Sequence, residues 1–420
     1  MIPDFDKKLD LYAELILKVG LNLQPGQKLV ISGKNLFRGA PLRSAPLVRR
    51  IAAQAYQMGS PLVDVMWDDD QTQLMRFQNA PRDAFGEFPS WRTQALFDYA
   101  NSGAAIVSFY GEDPDLLSGQ DPKLVTQAQR TMEQHMQSQM ELLMKNAYAW
   151  LLAAVPHPTW AAKVFPDLPA DQQEDALWEQ IFTLCRLDQP DPLAAWQAHI
   201  QQLNEASTYL NEKQYDALHY TGPGTDFTAG LPAGHVWNSA QSDTLGGITF
   251  TPNLPTEEVF TLGHKDRAEG QLAASMPLSY GGRLVEDFSL TFKDGRVTDV
   301  KAKKGEEVLR DILASDDGAG RVGEIALVPH SSPIAQSGVL FYNTLFDENA
   351  ASHIAIGRAY RFTLDGGETM SDEQFAAAGG NDSLVHVDFM IGSEKMDIDG
   401  IAKDGSREPL MRQGEWAYKS

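Results

Sequence analysis

The run Ala104-Ala-Ile-Val-Ser-Phe-Tyr110 decides how the first half of the chain folds. It is short and almost wholly apolar. It lacks the in-and-out alternation of a strand with one wet face, so it reads as a strand covered on both sides. A helical pattern near 89–101 precedes it, and a long Gln- and Met-rich one over 122–145 follows. The same alternation repeats outward. Leu9, Tyr12, Ile16 and Val19 form a helical stripe, and Pro-Gly then leads into Leu29-Val30-Ile31. A helix pattern over 42–58 leads into Pro61-Leu-Val-Asp-Val-Met-Trp67, and the 122–145 helix leads into Ala147-Tyr-Ala-Trp-Leu-Leu-Ala-Ala-Val155. Four such alternations predict a mainly parallel sheet covered by helices, an α/β domain. No Gly-rich phosphate loop stands at these strand ends, and Gly222-Pro-Gly224 reads as a turn after a strand. Met132, Met136, Met140 and Met144, four apart, predict a packing stripe on their helix.

Residues 156–212 read as largely helical. Trp178, Ile181, Phe182 and Cys185 share one packing face, and Asp188-Gln-Pro-Asp-Pro192 breaks the pattern. From about 213 the texture changes to short strands and Gly/Pro turns, among them Asp216-Ala-Leu-His-Tyr-Thr221 and Val259-Phe-Thr-Leu262. Residues 288–300 read as a hairpin turning at Asp294-Gly295, followed by a helix over 305–315. These shifts predict an N-terminal α/β domain over 1–212 and a C-terminal α+β domain over 213–420.

With 420 residues, 43% of them hydrophobic, the chain can bury one or two sizeable cores. A formal charge of −22 argues against a nucleic-acid backbone or an anionic membrane as the main partner. The single cysteine, Cys185, can form no intrachain disulfide and lies in an apolar helical run, where it packs rather than reacts. Without an apolar signal core near the start or a stretch of membrane-spanning length, a cytoplasmic protein is expected.

The densest set of possible metal ligands lies in three pieces between Glu324 and Asp388. Gly323-Glu-Ile-Ala-Leu-Val-Pro329 reads as a strand headed by Glu324. Residues 347–360 read as a helix with Asp347 at its N-cap. On that helix His353 and Tyr360, seven apart, would share a face, with Gly357 between them leaving room for a ligand. Ser383-Leu-Val-His-Val-Asp-Phe-Met-Ile-Gly392 reads as an alternating strand, with His386 and Asp388 on one face and Val385, Val387 and Phe389 on the other. A lone histidine beside an apolar strand is usually a satisfied core or surface residue, and the pairing with Asp388 makes His386 a candidate ligand. Imidazoles and carboxylates without usable thiols suit Zn, Co or Mn. Upstream, Glu257 and Glu258 follow Pro255 just before a strand, where alternation allows only one of them to enter a site. The remaining histidines sit in no motif.

Taken together, Asn253-Leu-Pro-Thr-Glu-Glu-Val-Phe-Thr261, Gly323-Glu-Ile-Ala-Leu-Val328, Asp347-Glu-Asn-Ala-Ala-Ser-His-Ile-Ala-Ile-Gly-Arg-Ala-Tyr360 and His386-Val-Asp-Phe-Met-Ile-Gly392 resemble the M29 thermophilic aminopeptidases. Leu23-Gln-Pro-Gly-Gln-Lys-Leu-Val-Ile31 is similar to the same family. The resemblance spans most of the chain, with its specific part in 253–392. It implies a two-domain, homodimeric enzyme that removes residues from peptides with a free N-terminus, using two divalent ions (Zn, Co, Mn or Mg) held in the C-terminal domain. Carried over position by position, it implies Glu258 (with Glu257 as the fallback), Glu324, Glu348, His353, His386 and Asp388 as metal ligands. Tyr360 matches the family's active-site tyrosine, and Glu324 takes the general-base role or acts purely as a ligand. A dinuclear hydrolase of another amide or ester, or a silent scaffold of the same fold, are the alternatives. An intact ligand set speaks against the scaffold.

Overall fold

The computed structural model describes residues 2–34, 38–280 and 283–418. By contact density the chain divides into two compact units, one of 1–198 with 241–255 and the other of 199–240 with 256–420.

In the first unit, strands β1 (Leu29–Gly33), β2 (Val63–Val65), β3 (Ala105–Tyr110) and β4 (Trp150–Ala154) form a parallel sheet in the order β2-β1-β3-β4. Every residue of β1 is buried, as is β3 up to Phe109, because helices cover the sheet. Those helices are α1 (Phe5–Leu15), α2 (Ala45–Gln57), α3 (Ser90–Asn101) and α4 (Pro122–Met144). The expected α/β architecture is present. The methionine stripe of α4 is only half a packing stripe. Met136 is fully buried and Met132 packs beside it, whereas Met140 and Met144 remain exposed. Ile181, Phe182 and Cys185 are buried on one side of helix α5 (Ala170–Leu184) and just past its end, and Phe182 stacks against Trp178.

The second unit is built on antiparallel pairing. Among the described residues, a nine-stranded sheet includes β5 (Ala217–Gly222), β6 (Thr225–Gly230), β8 (Ala268–Ala273), β9 (Arg283–Lys293) and β10 (Arg296–Lys304). The β9–β10 hairpin turns at Asp294 and Gly295, both at positive φ, as the Asp-Gly signal predicts. A separate four-stranded antiparallel sheet runs β7 (Val259–Leu262), β11 (Val322–Leu327), β12 (His353–Gly357), β13 (His386–Met390). This small sheet carries the candidate ligands.

The helix expected over 347–360 does not form. A four-residue helix, Thr344–Asp347, passes into a 3₁₀ turn at Glu348–Ala350, and the chain then extends as β12. Asn343, not Asp347, caps the short helix, accepting from the Leu345 N–H at 3.1 Å. Asp347 instead accepts from the backbone N–H groups of Phe341 and Asn343 at 2.7 and 2.9 Å. The physical reason is burial on both faces. All five residues of His353-Ile-Ala-Ile-Gly357 are buried between β11 and β13, so no alternation marks the strand. Gly357 does not make room for a ligand either. Its φ is +103°, and a Cβ there would stand 2.1 Å from the Val385 carbonyl oxygen.

Candidate metal centre

Register places the ligands. Ala355 in the middle of β12 pairs with Glu324 of β11 on one side and with Asp388 of β13 on the other. Gly357 pairs with His386, and His353, two residues before Ala355, lies on the same face. Glu324 reaches that face through a bulge. Val322 pairs with Ile356, yet Glu324, two residues on, pairs with Ala355, so one step of alternation is lost between them. Directly opposed residues in antiparallel strands stand only about 5 Å apart at Cβ. The methyl group of Ala355 is therefore small enough for two flanking carboxylates to lean toward each other above it.

The resulting geometry is compact. His353 Nε2 lies 3.1 Å from Glu258 Oε2 and 3.7 Å from Glu324 Oε1. His386 Nε2 lies 3.7 Å from Glu324 Oε2 and 3.3 Å from Asp388 Oδ1. Glu258–Glu324–His353 and Glu324–His386–Asp388 are thus two groups, each with one ligand atom per residue within 4.8 Å, and Glu324 belongs to both. Glu258 and Glu324 are buried, His353 is 1% exposed, and His386 and Asp388 are half-buried.

Both imidazoles are held in one orientation by the backbone. His353 Nδ1 faces the Ala351 carbonyl at 3.1 Å, and His386 Nδ1 faces the Arg358 carbonyl at 2.7 Å. A carbonyl only accepts, so each Nδ1 carries the proton and each Nε2 is turned to the acids. Asn349 ties the segments together. Its Oδ1 accepts from the Glu257 N–H at 2.7 Å, and its Nδ2 donates to the Leu345 carbonyl at 3.1 Å.

Electrostatics show what the site lacks. Burial works against the charge on His386, but Asp388 and Glu324 beside it push its pKa up to about 10. Burial likewise opposes a charged His353, and Glu258 and Glu324 hold its pKa well above the ordinary value. Burial raises Glu324, and burial with Glu258 and Asp388 nearby raises Glu348 well above the carboxylate range. Buried Glu258 Oε2 and Asp388 Oδ1 have no aligned hydrogen-bond donor. The cluster therefore demands positive charge, and it takes protons where no other cation is supplied. A divalent cation meets the same demand while leaving the imidazoles neutral, so the donor set fits one.

Glu348 stands on the 3₁₀ turn beside the two groups, close enough to Glu258 and Asp388 to feel their charge, but outside both. Tyr360 lies beyond the end of β12, at the start of another 3₁₀ turn, so it does not share a helix face with His353. It still reaches the cluster, its ring 4.8 Å from that of His386. Burial and the acids Glu324, Asp388, Glu348 and Glu258 hold its phenol protonated. Glu257 turns the other way, with Oε2 3.4 Å from His199 Nε2, and His199 Nε2 is 2.8 Å from the Thr256 carbonyl. No motif pointed to His199. Alternation sends Glu257 and Glu258 to opposite sides, and no sequence signal marks His199 as the neighbour of Glu257.

Ala355→Val is expected to weaken metal retention by about tenfold or more. Added methyl groups in a packed site force their neighbours aside, and those neighbours are Glu324 and Asp388. Ala355→Gly, which adds nothing, should retain metal like the unaltered protein. Competition with a chromogenic chelator reads both.

A buried cluster of imidazoles and carboxylates on a small antiparallel sheet, joined to an α/β unit, is the framework of a metal-dependent enzyme. Comparison with known proteins makes the class specific. Residues 5–416 match the model of the thermophilic metalloprotease family M29. The chain is 48% identical over 415 residues to Aminopeptidase 2 of Geobacillus stearothermophilus, covering 99% of each chain. It is 45% identical over 412 residues to Aminopeptidase T of Thermus thermophilus, covering 98% of this chain and 99% of that one. The solved structure of wild-type AmpT from Thermus thermophilus superposes with a TM-score of 0.91 at 43% identity, covering 99% of this chain and 100% of that one. The chain belongs to the M29 family and is a metallo-aminopeptidase.

Proposed function

We propose that the enzyme hydrolyses the N-terminal peptide bond of peptides with a free α-amino group, at a dinuclear divalent-metal centre held by Glu258, Glu324, Glu348, His353, His386 and Asp388. One observation carries the two-ion reading. The two carboxylate oxygens of Glu324 face different imidazoles, Oε1 toward His353 and Oε2 toward His386, so Glu324 is common to both ligand groups and would help to hold an ion at each. A pair of divalent ions bound there supplies Lewis acidity and lowers the pKa of a water.

The chain's own residues do the rest. Glu324 receives the proton of the attacking water if one of its carboxylate oxygens stays free of direct ligation and is otherwise purely a ligand, and Tyr360 donates a hydrogen bond to the oxyanion. The four carboxylates of the cluster, against two imidazoles, also give the substrate ammonium a charge-assisted partner. Residues 213–420 form the catalytic domain in this reading, and 1–212 the accessory α/β domain. Zn, Co, Mn or Mg all suit the oxygen and imidazole donors. We place the enzyme in the cytoplasm as a homodimer. A lone cysteine supports the first, since no intrachain disulfide can form, and no described helix is long and apolar enough to cross a membrane.

The test is a panel of free and N-acetylated aminoacyl-p-nitroanilides assayed after chelation and after adding back each metal. Activity should vanish with EDTA, return with a divalent ion, and be confined to free amines. Equal rates on acetylated substrates would move the enzyme to hydrolysis of other amides. Full activity in protein shown by elemental analysis to be metal-free would end the proposal.

A further inference from the structure

Most of the proposed ligands stand on strands. Glu324, His353, His386 and Asp388 lie within β11, β12 and β13, so backbone pairing across the small sheet fixes where each side chain starts. Glu258 and Glu348 have no such support. Glu258 precedes β7, which starts at Val259, and Glu348 opens the 3₁₀ turn before β12. Something other than the strand ladder must hold these two.

A single buried amide joins them. Asn349 follows Glu348 directly in the chain and is wholly buried. Its Oδ1 accepts from the N–H of Glu257, the residue before Glu258, at 2.7 Å and across 92 positions of sequence. Its Nδ2 donates to the Leu345 carbonyl at 3.1 Å, and its own carbonyl accepts from Ser332 Oγ at 2.8 Å. The side chain thus faces one donor and one acceptor. An amide of this length meets both in one orientation, which neither an ionised carboxylate nor an aliphatic group can do. The other end of the same peptide unit is held as well, since the Thr256 carbonyl lies 2.8 Å from His199 Nε2. A peptide unit is planar and rigid, so holding its carbonyl and its N–H sets the direction in which the chain leaves toward Glu258.

We propose that Asn349 is a positioning residue that sets Glu258 and Glu348 around one ion of the pair and leaves the other ion to the sheet. This rests on the dinuclear reading above. Glu258 groups with Glu324 and His353, whereas Glu324, His386 and Asp388 form the second group and lie entirely on strands. Neither side-chain bond of Asn349 described above reaches β13. Loss of a hydrogen bond that supports a ligand costs roughly 10- to 100-fold in metal affinity, and here that loss falls on one ion. A general loss of stability would not choose between the two.

Withdrawal of Zn²⁺ from the full-length, zinc-loaded protein by a chromogenic chelator tests it. In Asn349→Ala one of the two ions should be released roughly 10- to 100-fold more readily, and the other as in the unaltered enzyme. Tyr148→Phe is the control for lost stability. It removes a buried hydrogen bond from Gln139 Nε2, 2.8 Å long and in the other unit, and should leave both ions as they were. Should Asn349→Ala fail to fold, Asn349→Ser carries the same test, because its hydroxyl keeps the buried position polar but is too short to span both partners. Two release steps that are unchanged, or that are weakened alike, would overturn the proposal, as would the same selective loss in Tyr148→Phe. A single step in the unaltered enzyme would end the dinuclear reading and this proposal with it, so the unaltered protein tells the two failures apart.

Discussion

His386→Ala and Asp388→Ala are each expected to strip the protein of metal and to lower kcat/KM by on the order of 10³ or more. Both side chains belong to the group that includes Glu324, His386 Nε2 lying 3.7 Å from Glu324 Oε2 and 3.3 Å from Asp388 Oδ1. Loss of a hydrogen bond that merely supports a ligand costs roughly 10- to 100-fold in metal affinity, so loss of the ligand itself should cost more. The rate follows from the same cause. Metal ions contribute several kcal/mol to transition-state charge stabilisation, and each ~1.36 kcal/mol is a factor of ten. The two substitutions should differ in detail. Without Asp388, His386 loses the neighbour that most raises its basicity, so the remaining imidazole binds protons and metal less firmly. Without His386, Asp388 loses the cation that lowers its pKa against burial and becomes a poorer anion. Elemental analysis after gel filtration, with kcat/KM at saturating metal, checks both. Metal content equal to that of the unaltered enzyme in both variants would exclude β13 from the metal site.

How much of this was legible in the sequence depends on whether a pattern had one cause or two. Strands β1 and β3 read correctly because, in an alternating chain, a short apolar run between helical patterns is too short for a helix and too apolar for a loop. The β13 pattern read correctly for a simpler reason. One of its faces is polar, so Val387 and Phe389 separate cleanly from His386 and Asp388. β12 failed on the same logic. His353-Ile-Ala-Ile-Gly357 is buried on both faces, and buried strands and buried helices share one apolar signature. The acidic, polar segment Asp347-Glu-Asn before it looked like a helix start, and a short helix does lie there, but it ends at Asp347.

The site itself was legible as a list of residues and not as a geometry. Which of Glu257 and Glu258 faces His353 follows from alternation only once the strand start at Val259 is known. The bulge before Glu324 and the small side chain of Ala355 arise from pairing across three strands, and no local window contains that pairing. His199 lies 58 residues from Glu257 in sequence yet 3.4 Å from it in space, which spacing alone does not reveal.

Tyr360→Phe is expected to lower kcat by roughly 10²–10³ while leaving metal content and KM close to those of the unaltered enzyme. The phenol ring is held between Phe362, stacked at 5.4 Å, and His386, at 4.8 Å, and phenylalanine preserves both contacts. What disappears is the hydroxyl. Burial and four nearby acids keep that hydroxyl protonated at neutral pH, so in the enzyme it is a donor and not a phenolate. A donor acts most where negative charge develops, which is on the carbonyl oxygen as water adds, and it contributes little to the bound substrate. The expected effect therefore falls on kcat. Two other results have distinct meanings. A lower melting temperature with kcat unchanged would make Tyr360 a packing residue whose hydroxyl is structural. Loss of bound metal would make its oxygen a ligand. Measuring kcat, melting temperature and metal content on the one variant separates the three outcomes.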